Sequence, residues 1–378
     1  MMRKIGYYLT HWEVWHWFAK YIVIGPAWLW LCLKGRSFWF FTPSNPTISF
    51  GGWIGESKSE IYEQLPSDKY PRSIFVSPKE EFNNILSALK LKQLSLPLAV
   101  KPDIGMMGFM FRKVDTIDQL LQYHQFMPAR YIIQELIDYP LEVSVFYYRF
   151  PNKATGNITG FIRKEFMQVT GDGNKDLETL IKEYPRAAFR LKELLSKHES
   201  HLKVVVPADK PYYLSYALNL SRGGRLISLE HEKDAQLLNV FDQISNYSGN
   251  FFYGRYDIKC NSIEDLKKGK NYSILEYNGS GAEPHHVYGN GFSFLQACGI
   301  LIHHWNILFK ISQINRASGI KPWTFRQGLV YSASAREHFR QLKAMDTIFE
   351  FDKVHSSEQD PQANVKYVQH AALITQNA

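Results

Sequence analysis

Two short stretches, FYGRYDIKC (252–260) and YSILEYN (272–278), mix apolar with ionisable or amide residues in alternation, and an extended chain turns that alternation into one apolar and one polar face. The polar connection SIEDLKKGKN (262–271) allows the two to lie as neighbouring strands. Arg255 and Asp257, two residues apart, then share a face, and Glu276 and Asn278 share a face of the partner strand. Three oxygen-bearing side chains, Asp257, Glu276 and Asn278, converge in that arrangement. Hard oxygen ligands of this kind suit Mg²⁺ held jointly with nucleotide phosphates. Arg255 beside them offsets charge on a transferring phosphoryl group. Either segment alone also fits a plain edge strand with a polar face.

The rest of the chain predicts a mixed architecture. Strands are expected at 37–42 (SFWFFT), 72–77, within 96–114, at 130–137, 141–150 and 158–166, and around the Gly-Gly turn of 212–230. Helices are expected at 57–65, with Ser57 as N-cap, and at 78–94, with Pro78 in the first turn. Further helices are expected at 116–125, after the glycine loop at 171–173, at 232–248 and at 292–314. The order strand, glycine loop, helix, strand, helix over 37–95 suggests a small α/β unit with parallel strands. The tail beyond Gln359 is polar and is expected to fray.

Three more motifs bear on chemistry. In LAVKPDIGMMGFM, Lys101 ends a strand and Gly105 and Gly108 follow; glycines let backbone N–H groups approach phosphate while the lysine adds a point charge. No GxxxxGK[ST] loop is present, and a β-hairpin with a glycine turn is the plain alternative. YIIQELI followed by Glu142 offers an apolar slot and a carboxylate acceptor. VTGDGNKDLETLI puts Gly171-Asp172-Gly173 ahead of a helix, as an anion-binding or closing loop or as a simple cap.

Composition narrows the partners. With 378 residues, 45% hydrophobic and 21% charged, the chain is globular and can bury a core. A net charge of +8 favours anionic partners. The basic residues are dispersed and no nucleic-acid motif stands out, so nucleic acid is not expected. Cys32, Cys260 and Cys298 are far apart without metal spacing, which fits a reducing, cytoplasmic compartment. Seven of nine tryptophans fall in the first 53 residues: Trp12, Trp15, Trp17, Trp28, Trp30, Trp39 and Trp53. Lysines lie between them, and the uncharged run Tyr21–Leu33, interrupted by Gly25-Pro26, is too short to span a bilayer. Two readings of residues 5–33 stay open: an interfacial element on the inner face of the membrane, or an aromatic helical hairpin packed on the protein or in a homodimer contact.

The order of these motifs over residues 37–295 resembles the ATP-grasp superfamily, and within it D-alanine–D-alanine ligases and cyanophycin-synthetase-like ligases. The resemblance implies an α+β fold in which two α+β subdomains clasp ATP. It divides the chain into an aromatic segment (1–36), a small pre-grasp unit (37–95), the ATP-grasp domain (96–315) and a C-terminal extension (316–378). It implies that Lys101 contacts phosphates, that Gln134, Glu135 and Ile137 belong to the adenine hinge, and that Glu142 binds ribose. Gly171, Asp172 and Gly173 match the glycine loop of the cyanophycin-type members. Arg255 matches the arginine of phosphoryl transfer, and Asp257, Glu276 and Asn278 match the metal ligands for Mg²⁺, with Mn²⁺ as an alternative. GGWIGESKSE is similar to the substrate loop of D-alanine ligases, which implies Glu56 and Ser57. Glu283, His285 and His286 follow the metal strand on the acceptor side, where the sequence GSGAEPHH departs from the small-residue turn of those ligases.

The activity implied is carboxylate activation by ATP to an acylphosphate, followed by attack of an amine or thiol, on a small or a membrane-associated, lipid-linked substrate. An ATP-grasp kinase and a membrane-associated binding protein with a vestigial nucleotide site are the alternatives.

Overall fold

The stretch Tyr253–Cys260 is buried along its whole length because it lies inside a five-stranded sheet, with a strand hydrogen-bonded along each of its edges. The computed structural model describes residues 11–12, 15, 17–215 and 224–351. The residues at 5–10, the Gly-Gly turn and the tail beyond Gln359 lie outside the described residues, the turn with Gly223 only.

In chain order the elements are helix α1 (Trp17–Gly35), helix α2 (Lys58–Tyr62), strand β1 (Ser73–Val76) and helix α3 (Phe82–Leu91). Next come β2 (Leu98–Pro102), β3 (Arg112–Val114), α4 (Ile117–Phe126), β4 (Tyr131–Glu135), β5 (Leu141–Tyr148), β6 (Asn157–Glu165) and β7 (Met167–Thr170). Then follow α5 (Leu177–Glu183), α6 (Leu191–Lys197), β8 (Pro211–Ser215), β9 (Arg225–Ser228), α7 (Ala235–Tyr247), β10 (Tyr253–Cys260) and α8 (Ile263–Lys267). The last are β11 (Tyr272–Asn278), α9 (His286–Gly289), α10 (Phe294–Ala317) and α11 (Phe325–Ile348).

The strands form two main sheets and a ribbon, with every pairing antiparallel among the described residues. One sheet has the order β1-β4-β2-β3, the other β11-β10-β5-β6-β9, and β7 pairs with β8 alone. The parallel unit expected over 37–95 does not form: β1 runs antiparallel to β4, with Val76 opposite Tyr131, and so joins the sheet that carries Lys101. The segment SFWFFT is not a strand. It turns tightly through Thr42 N–H bonded to Trp39 O and Ser44 N–H bonded to Phe41 O, and it buries Phe40 and Phe41 in an aromatic cluster under α1 and α10. Helix α3 begins at Phe82, four residues beyond Pro78, after a turn closed by Glu80 N–H to Ser77 O. Among the described residues the two strands around the Gly-Gly turn have other partners: β8 pairs β7 and β9 pairs β6.

Helix α1 runs unbroken from Trp17 to Gly35 with Pro26 inside it; most of the earlier part of the expected hairpin, residues 5–10, 13, 14 and 16, lies outside the described residues. Its inner stripe, Ile24, Leu31 and Cys32, packs against α10, while Phe18, Ile22, Trp30 and Leu33 stay exposed. Among the described residues no helix is long and apolar enough to cross a membrane. The three cysteines are buried and free.

The core divides as the sheets do. Behind the five-stranded sheet, Tyr256 and Ile258 of β10 pack on Leu237, Phe241 and Ile244 of α7. Behind the four-stranded sheet, Val100 and Ile133 pack with Ile85 and Leu89 of α3 and with Phe339 and Leu342 of α11. The opposite faces of the two sheets are thereby left free to meet each other.

Candidate active site

The polar face of β10 sets the site. Arg255 lies opposite Asn278 and Asp257 opposite Glu276, so the four side chains form a square across two strands. The ladder then shifts between Asp257 and Ile258, leaving Leu275 as the extra residue of a bulge. Bulges next to active sites re-aim groups and free backbone polar atoms. Here the Leu275 carbonyl accepts from the Tyr62 hydroxyl at 2.9 Å and from Lys101 Nζ at 3.4 Å.

Asp257 is the electrostatic hub. Arg255 Nη2 donates to its Oδ2 at 3.0 Å and Asn278 Nδ2 to the same oxygen at 3.1 Å. Lys164 Nζ lies 3.1 Å from Oδ1, and the Ser144 hydroxyl also donates to Oδ1. Burial alone would raise its pKa, but Arg255 and Lys164 hold the carboxyl well below the usual range. Lys164 is shared with Glu142 at 3.0 Å. Burial pushes the Glu142 carboxyl up, with Lys164 opposing. The second glutamate, Glu276, has Lys58 Nζ at 3.5 Å.

These residues line a cleft between the two sheets. From the four-stranded sheet come Lys101, Gln134 and Glu135, followed by Ile137; from the other side come Glu142, Asp257 and Glu276, with Lys58 between. Burial, with help from the charge of Lys58, pushes the Lys101 ammonium down to about 7. Gln134 Oε1 is buried without a hydrogen-bond partner, an acceptor available to a ligand N–H. The Glu135 carboxylate is turned to Arg72, with Nε to Oε2 at 2.8 Å.

A second cavity of about 290 Å³ lies on the same face of the strand pair, one step further along the strands. Arg255 and Asn278 form one wall, and Glu56, Glu283 and His285 another. Arg255 Nη1 donates to the Glu283 carbonyl at 3.0 Å and meets His285 Nε2 at 3.2 Å. Guanidinium can only donate, so Nε2 accepts and the ring proton sits on Nδ1, which is buried without a partner. Burial and Arg255 hold the His285 pKa well below the ordinary value, so the ring is neutral. The Glu283 carboxylate accepts from Tyr21 at 3.0 Å and from Tyr288. Burial raises the Glu56 pKa, with an N–H bond opposing and Glu276 adding to the rise.

Three expected groups lie elsewhere. Ser57 donates to Asp103 Oδ2 at 2.9 Å, and its hydroxyl makes no cap bond; its place holds Lys58 toward Glu276. His286 points into the core between Phe146 and His304, directly over Gly160. Gly171-Asp172-Gly173 belongs to the β7–β8 ribbon and is not part of the cleft lining. There Gly171 is pressed on backbone, where a Cβ would sit 2.2 Å from Pro207 O, and Asp172 accepts from Asn174 and Lys175 N–H groups.

Sequence reasoning missed Lys164, Lys58 and Ser144. The one available signal for the first two is position: Lys164 interrupts the apolar alternation Gly160, Ile162, Phe166 of ITGFIRKEF, and Lys58 follows the GGWIGES loop.

No family model and no curated protein matches the sequence. Among solved structures the chain is similar to D-alanine–D-alanine ligase from Bacillus anthracis, at 15% identity and a TM-score of 0.40, over 69% of this chain and 68% of that one. It is similar to the VanG D-Ala:D-Ser ligase from Enterococcus faecalis, at 16% identity and a TM-score of 0.38, over 68% of this chain and 63% of that one. It is also similar to a bifunctional glutathione synthetase from Pasteurella multocida, at 13% identity and a TM-score of 0.39, over 62% of this chain and only 34% of that one. At these identities and scores, the chemistry rests on the residues themselves.

Proposed function

We propose that the protein is an ATP- and Mg²⁺-dependent ligase of the ATP-grasp kind, joining a carboxylate to an amine or thiol through an acylphosphate. One observation carries this reading: Asp257 and Glu276 face a cleft with Lys101 and Glu142, while Arg255 and Asn278, on the same two strands, face a separate cavity. A nucleotide and a second substrate can therefore meet along one strand pair.

In this reading the hinge Gln134–Ile137 takes adenine, Glu142 takes ribose, and Lys101 with Lys58 takes phosphate. Asp257, Glu276 and Asn278 fit Mg²⁺ or Mn²⁺ by their donor chemistry, two carboxylates and an amide. The metal, when bound, supplies neutralisation of phosphate charge. Arg255 orients the substrate carboxylate, whose oxygen attacks the γ-phosphorus while the bond to ADP breaks. The amine then attacks the acyl carbon, phosphate leaves, and the nitrogen loses its proton. Neutral His285 donates from Nδ1 to a substrate or phosphate oxygen, and Glu56, whose pKa burial raises, takes the proton. Gly171–Gly173 reaches the nucleotide by closure of the β7–β8 ribbon. The exposed apolar face of α1 rests on the inner membrane surface, which suits a lipid-linked substrate.

ADP and phosphate release, followed across pairs of acids and amines, tests the proposal. Release that needs both partners supports a ligase. ADP without phosphate, together with a stable phosphorylated product, would make it a kinase. A protein that binds no Mg·ATP is neither.

A further inference from the structure

We propose that the second substrate is amphiphilic, and that its apolar part occupies an aromatic-walled cavity between α1 and α10. The existence of this site stands on its own geometry; the role of its ligand rests on the ligase reading above.

The cavity has a volume of about 500 Å³, within the range of small-molecule pockets. Trp28 forms its wall with Trp53 and Trp305, each ring centroid 5.0 Å away, and Tyr253 and Leu301 complete the apolar lining. A space of this size, open at one side, is large enough to take an alkyl or aryl group. Leu29, 56% exposed, stands at the rim. Ser280, on the lining, is 4% exposed, and its buried Oγ has no hydrogen bond.

The position of the cavity assigns its ligand. It shares Tyr21, Trp53, Gly281, Ala282 and Glu283 with the 290 Å³ cavity that holds Arg255 and His285. Tyr253 and Arg255 are alternate residues on one face of β10, about 7 Å apart along the strand. A ligand with its polar end at Arg255 therefore has its next 7 Å or so in an apolar, aromatic space. A small polar amino acid would leave that space empty; an alkyl or aryl chain fills it.

Gly25 supplies the test. It lies on the cavity wall in α1, and a Cβ built there meets nothing within 4 Å. Gly25→Phe thus puts a large side chain at the cavity wall; because Pro26 follows and crowds a Cβ on the preceding residue, a thermal melt of Gly25→Phe and Gly25→Ala establishes first that both are folded. The probes are octanoate and octylamine, each titrated against its butyl counterpart. Each buried methylene tightens binding roughly fourfold, so one octyl probe should bind at least about tenfold tighter than its butyl partner. Gly25→Phe should abolish that advantage and leave Mg·ATP affinity unchanged, while Gly25→Ala should keep it. A measurement without any variant is the anomalous signal of 8-bromooctanoate, which should place the bromine among Trp28, Trp53 and Trp305. The proposal is overturned by equal affinity for octyl and butyl probes, by an octyl advantage that survives in folded Gly25→Phe, or by bromine found elsewhere. Octyl binding without Mg·ATP binding would keep this site and remove the ligase reading; Mg·ATP binding with no octyl advantage would do the reverse.

Discussion

Lys164 and Asp257 meet at 3.1 Å across the buried face of the five-stranded sheet, both side chains almost wholly withdrawn from solvent. The carboxylate therefore answers two buried cations, Lys164 and Arg255. Removing one member of a buried charge set costs about 3–5 kcal/mol because the remainder is left uncompensated. Asp257→Asn should lose Mg·ATP turnover and also lower stability by that order, read in a urea melt. Glu276→Gln separates the two effects. Its side chain is 16% exposed and its pair with Lys58 is longer, at 3.5 Å, so the loss of stability should be smaller than for Asp257→Asn. Turnover should still fall by a factor of about 100 or more. Full activity in both variants would end the metal assignment.

Removing the cation makes a different prediction. Lys164→Met leaves Glu142 buried without its partner, so its pKa, already raised by burial, rises further. A carboxyl with a raised folded pKa favours folding when protonated. The melting temperature of Lys164→Met should therefore fall relative to the parent as pH climbs from about 4.5 toward neutrality. A difference in Tm that is flat over this range would show that Lys164 does not compensate Glu142.

Nucleotide binding should take up a proton through Lys101. Burial holds this ammonium near 7, against an ordinary value of 10.5. Between those values the unfolded chain carries a proton the folded chain lacks, so this group adds stability as pH rises through that window. Phosphates favour the charged form, so binding at pH 8 draws the proton back. Calorimetry in two buffers of different ionisation enthalpy should report uptake for the parent. Lys101→Met should show less uptake and at least tenfold weaker binding. Equal uptake in both proteins would move the titration elsewhere.

The outer face of α1 gives a membrane test that spares the fold. Trp30 and Leu33 are 63% and 72% exposed. Trp30→Glu with Leu33→Glu should leave Tm unchanged and weaken sedimentation with anionic vesicles by at least tenfold, since each buried apolar side chain contributes about 1.5–3 kcal/mol. Unchanged vesicle binding would assign this face to another partner.

Strands β10 and β11 were legible because their alternation is local: residues two apart share a face whatever the neighbours are. The partners of a face are not local. Lys164 looks like any strand lysine until β5 and β9 enclose it, and the direction of β1 depends on β4, more than fifty residues away. SFWFFT misled because strongly apolar side chains suit packed turns as well as strands. Helix α11 gave little signal because its buried stripe, Gly328, Ser332, Ala335, Phe339 and Leu342, begins with small residues. Its Thr324–Gln327 capping box was readable in principle.

Along β10, Tyr253, Arg255, Asp257 and Lys259 alternate with Gly254, Tyr256, Ile258 and Cys260. Of the first set, Tyr253, Arg255 and Asp257 line cavities, while the second faces Asn278 backbone, α7 and the core. A substitution at an odd-numbered position thus changes what the protein handles, and one at an even-numbered position changes whether it stands. A change of substrate preference has an open route through Tyr253, which lies outside the charge square, whereas inserting a single residue in this strand would exchange the two sets and forfeit both at once.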